Sequence, residues 1–128
     1  ARSIGAATAM AERRDLPVAR IDLAQIATLE FHAPDPARYP ALGLARWVME
    51  TGGTSGCVFN AAKEIALDGF LAGRIGFMDM SGVVEATLDA ISCEFGLGNP
   101  PSDLEEVLQV DHMARKHAWQ EIDGMGAT

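Results

Sequence analysis

The chain is poor both in the residues that build sheets and in those that bind polyanions. Aromatics make up only 6% of it. Strands recruit aromatic and β-branched side chains, so a sheet core is disfavoured and a helical core of Ala, Leu, Ile, Val and Met is expected. Lys and Arg number 10 against 18 Asp and Glu, a formal net charge of −8. Arg13 with Arg14, and Arg115 with Lys116, are isolated pairs rather than a basic stripe. Such a chain repels nucleic acid and anionic bilayers, which argues against either as a partner. Only two cysteines are present, Cys57 and Cys93, and no second pair or nearby histidine completes a zinc pattern. They are expected as reduced, mostly buried thiols of a cytoplasmic protein. The sequence leaves a disulfide between them open. No apolar run approaches the roughly 20 residues that span a bilayer. Residues 1–14 do not read as a signal peptide, because Arg13 and Arg14 follow the apolar stretch instead of preceding it.

What is present fits one helical domain. A chain of 128 residues, 48% apolar and 22% charged, has the composition of an ordinary globular domain. At this size it buries roughly two-thirds of its unfolded surface around a single core. Residues 1–15 are Ala-rich and compatible with a short helix. From Leu16 to Pro40 the prolines at 17, 34, 36 and 40 forbid a long helix. This stretch is expected as an extended connector, with one short strand near Leu29–Phe31. Four helices should follow. The first opens at Pro40, a residue suited to the first helical position, and stops at Gly52 and Gly53. The second presents Val58, Ala62, Ile65 and Gly69 on one face and ends at Gly73. The third starts near Asp79 or Ser81 and carries the stripe Val84, Leu88, Ile91 and Phe95, ending at Gly96. The fourth opens on Ser102 with Glu105, read as a capping box, and buries Leu104, Val107, Leu108, Ala114, Ala118 and Ile122. The expected fold is all-α: a four-helix bundle over 40–128 behind a proline-rich connector over 1–39. Its core should include Leu42, Val48, Val58, Ile65, Val84, Leu88, Ile91, Leu104, Leu108 and Ile122.

The residues themselves show no active site. His112 and His117 are five apart on the last helix, about 140° around its axis, too far to chelate one metal as an i, i+4 pair does. Glu64 with Asp68, and Glu85 with Asp89, do share faces, but no Glu-x-x-His accompanies them and a solvated acidic face is the plainer account. His32 sits among prolines with no partner in sequence. The stretch from Gly52 to Cys57 lacks the Gly-Lys-Ser/Thr ending of a phosphate loop and reads as a helix–helix turn. Trp47 and Trp119 are expected at the core or its rim.

Four stretches are more specific than a fold class. They are Phe31 to Ala45 with Ala33-Pro34-Asp35 and Arg38-Tyr39-Pro40; Phe59-Asn60-Ala61-Ala62-Lys63-Glu64-Ile65-Ala66; Phe70 to Asp79; and Val107 to Arg115. In order and spacing, from about Leu16 to Ile122, they resemble the C-terminal helical domain of the 1-deoxy-D-xylulose 5-phosphate reductoisomerase family. Residues 1–12 depart from that family, which carries Met-Arg-Thr-Pro-Ile-Ala-His before a Trp-Pro in this register. The resemblance implies a parent enzyme that converts 1-deoxy-D-xylulose 5-phosphate to 2-C-methyl-D-erythritol 4-phosphate in isoprenoid biosynthesis. It further implies NADPH and Mg²⁺ or Mn²⁺ as cofactors, a homodimer at full length, and an N-terminal nucleotide-binding and a central catalytic domain. None of the family's cofactor, metal or substrate motifs is found in these 128 residues. The expectation is therefore a piece that supports the catalytic domain, with no catalytic, cofactor-binding or metal-binding residue and no activity alone. The alternative is a stand-alone or engineered helical assembly module descended from that domain.

Overall fold

The computed structural model describes Ala19 and residues 21–126, and every described element is a helix. The Ala-rich helix expected in 1–15 lies outside the described residues. The chain divides into two units, Ala1–Ala33 and Pro34–Thr128.

In the first unit, the one described element is a single turn of helix, α1 (Leu23–Ile26). It forms because the Asp22 carboxylate accepts from the backbone N–H groups of Ala24 at 2.9 Å and Gln25 at 3.3 Å, satisfying donors that a helix start leaves orphaned. The strand expected at Leu29–Phe31 is not formed. A strand needs a neighbour to complete its ladder, no other strand exists among the described residues, and Phe31 stands 88% exposed.

The second unit opens on an Asx turn, the Asp35 carboxylate accepting from the N–H groups of Ala37 and Arg38. The turn delivers Pro40 into the first position of α2 (Pro40–Thr51). Gly52 ends this helix at φ +67°, and α3 (Ser55–Leu71) follows. Gly73, at φ +71°, turns the chain toward α4 (Asp79–Phe95), whose first residue accepts a 2.8 Å hydrogen bond from the Gly76 N–H. Gly96 ends α4, and α5 (Leu104–Met125) completes the bundle.

The core lies where α3, α4 and α5 meet. Val58, Ala61, Ala62 and Ala66 of α3, Ile91 of α4, and Ala114, Ala118 and Ile122 of α5 are wholly buried, with Leu88 at 2% exposure. Alanines on facing helices let the backbones approach closely. Gly69 carries this further, since a Cβ there would sit 2.8 Å from Ile122 Cδ1. Each large aliphatic side chain removed from water in this way contributes about 1.5–3 kcal/mol before entropy is counted. Helix α2 is a flank. None of its residues is fully buried, and only Leu44 and Val48 pack against the core.

Six of the ten expected core residues are buried: Val58, Ile65, Val84, Leu88, Ile91 and Ile122. Val48 is partly buried. Leu42, Leu104 and Leu108 are exposed by 47%, 72% and 55%, and Phe95, at the end of the α4 stripe, is exposed too. On α5 the expected Ala114, Ala118 and Ile122 are buried, and Val110 joins them in place of Leu104 and Leu108. Leu108 and Val110 lie about 200° apart around a helix, so burying one turns the other outward. The start of α5 also differs by one residue from the expected cap. Asp103, not Ser102, is the N-cap, and its carboxylate accepts from the Glu106 N–H at 2.9 Å. Glu106, not Glu105, reaches back, accepting from both the N–H and the hydroxyl of Ser102 at 2.7 Å. Asp and Ser cap about equally well, so composition alone did not separate these two adjacent registers.

Candidate functional site

The densest polar constellation joins α3 to α5. Arg115 donates from Nε to Asp111, one turn back on its own helix, at 2.7 Å, and from Nη2 to Glu64 of α3, also at 2.7 Å. Asn60 donates to the other oxygen of Glu64 at 3.1 Å. The hydrogen bond from Arg115, then that from Asn60, holds the Glu64 carboxyl below its ordinary range. Asp111 and Glu64 together hold the guanidinium above its already high value. Beside them, the Cys57 thiol donates to the Val107 carbonyl at 3.6 Å. Burial, then the Asp111 charge, pushes that thiol up, away from the nucleophilic thiolate. A permanently charged Arg held by two carboxylates, next to a protonated thiol, holds helices together. It offers neither a proton at neutral pH nor a nucleophile.

A second constellation ties the α3–α4 loop to the far end of α5. Arg74 pairs with Asp123 and lies over the Trp119 ring, 5.3 Å from its centroid. Phe70 at the end of α3 and Phe77 in the loop meet edge to face at 5.9 Å. α4 and α5 are bridged loosely by Glu94 and His117 at 3.7 Å.

Glu64 turns to Arg115 and Asn60, while Asp68, Glu85 and Asp89 face outward. His112 is exposed and His117 half-buried against Glu94. His32 lies 3.4 Å from the Glu30 carboxylate, two residues back. Cys57 and Cys93 are both free thiols, Cys93 exposed rather than buried. Trp119 packs at the rim of the core and Trp47 is 40% exposed. Among the described residues no group of three or more His, Cys, Asp or Glu is arranged to hold a metal ion. No described helix is long and apolar enough to cross a membrane. The Gly52–Gly53 turn is structural, with Ser55 Oγ donating to the Val48 carbonyl at 3.0 Å. Sequence reasoning set Arg115 aside as half of an isolated basic pair. Its i, i+4 relation to Asp111 was available as a signal, but its reach to Glu64, 51 residues away, was not.

These features define a helical bundle domain whose polar side chains join one helix to the next. The family profile described as the DXP reductoisomerase C-terminal domain matches residues 2–117. The chain belongs to that family. It is 66% identical over 116 residues to the 1-deoxy-D-xylulose 5-phosphate reductoisomerase of Jannaschia sp. (strain CCS1), a match covering 91% of this chain and 30% of the relative. The solved Zymomonas mobilis reductoisomerase in complex with NADPH superposes with a TM-score of 0.75 at 38% identity, over 94% of this chain and 30% of that one. A DOX-P reductoisomerase in complex with magnesium superposes with a TM-score of 0.79 at 33% identity, over 98% and 32%. The chain thus spans about a third of the length of the proteins it matches.

Proposed function

We propose that this chain serves as the C-terminal bundle of an enzyme converting 1-deoxy-D-xylulose 5-phosphate to 2-C-methyl-D-erythritol 4-phosphate in cytoplasmic isoprenoid biosynthesis. The observation that carries the reading is the agreement of the whole bundle, in sequence and in shape, with the same third of reductoisomerases. In this reading residues 1–39 are the connector and 40–128 the bundle domain. The partner is the catalytic domain of the same homodimeric enzyme, and neither nucleic acid nor membrane is engaged. Outward apolar side chains such as Leu104, Leu108 and Met49 support a role in packing against further protein.

NADPH and Mg²⁺ or Mn²⁺ belong, in this reading, to the remaining two-thirds of the enzyme. The described residues gather no metal-binding set. Glu64 and Asp111 are taken up by Arg115, and no other carboxylates converge with a third donor. In this reading the chain itself carries no catalytic, cofactor-binding or metal residue. The test is NADPH consumption with 1-deoxy-D-xylulose 5-phosphate and Mg²⁺. The chain alone should give none. A chimera in which it replaces the matching segment of the Jannaschia relative should consume NADPH. Chelator-sensitive turnover by the chain alone would overturn the reading, and a folded but inactive chimera would overturn it in favour of an independent assembly module.

A further inference from the structure

We draw no further inference here: the strongest candidate, the apolar groove between α2, α3 and α4 lined by Leu44, Phe59, Ala66, Met80 and Val84, carries nothing because nothing in the structure shows what covers it.

Discussion

The backbone N–H of Thr54 donates to the carbonyl of Leu97 at 2.9 Å, joining the α2–α3 turn to the α4–α5 loop across 43 residues of sequence. The Thr54 hydroxyl reaches the same carbonyl at 3.5 Å. This approach is close because Gly53, at φ +54°, has no side chain. A Cβ there would lie 2.3 Å from the Leu97 carbonyl oxygen and 2.5 Å from that of Asn99.

Gly53→Ala should therefore destabilise by more than the roughly 1–3 kcal/mol that a strained φ costs, because the obstructing atoms are backbone and cannot swing away. Gly43→Ala is the control. Gly43 lies inside α2 with nothing within 4 Å of an added Cβ, so the change should stabilise by about 0.5–1 kcal/mol. Urea unfolding midpoints of the two variants should move in opposite directions. Equal midpoints would mean that the two loops do not touch.

The face of α5 can be checked by two truncations. Leu88 of α4 is 2% exposed, and Leu88→Ala should cost about 2–5 kcal/mol through lost burial and a residual cavity. Leu108→Ala, on an outward position of α5, should stay within about 0.5–1 kcal/mol of the parent. A large loss at Leu108 with a small one at Leu88 would place the wrong faces inward.

The cap of α5 gives a third test. Asp103→Ala removes the carboxylate that accepts from the Glu106 N–H and should cost about 1 kcal/mol. Ser102→Ala removes only a hydroxyl, since its backbone N–H still donates to Glu106, and should cost less. Helical content near the α5 start, followed by amide exchange at Glu105 and Glu106, should fall for the first variant and hold for the second.

Acid should weaken the bundle through Glu64 and Glu106. The folded-state pKa of each lies below the ordinary carboxylate value of 4.5, Glu64 chiefly through Arg115 and Glu106 chiefly through the Ser102 N–H. A group held low when folded contributes its stability above the unfolded pKa and loses it as pH falls through the folded one. Stability should then be flat near neutrality and decline below about pH 4.5. Glu64→Gln should lower stability near neutrality and make the decline shallower. An unchanged slope in unfolding titrations would mean that the Arg115 pair is not formed in solution.

Much of the bundle was legible because its signals are local. Pro40 at a helix start and glycines at positive φ after α2, α3 and α4 act through their own backbone constraints. The periodic run Val84, Leu88, Ile91 identifies its buried face wherever the helix packs.

Tertiary structure decided that Leu104 and Leu108, grouped by the sequence with Ala114, Ala118 and Ile122, turn outward on α5. Two apolar series compete there, Leu104 with Leu108 and Val110 with Ala114, Ala118 and Ile122. The larger leucines carry the stronger hydrophobic signal, yet the alanine series wins, because Ala114 and Ala118 let α5 approach the small residues of α3. The same approach brings Arg115 within reach of Glu64 and Thr54 within reach of Leu97. Such pairs depend on distances between helices, which no residue's own neighbours in sequence specify.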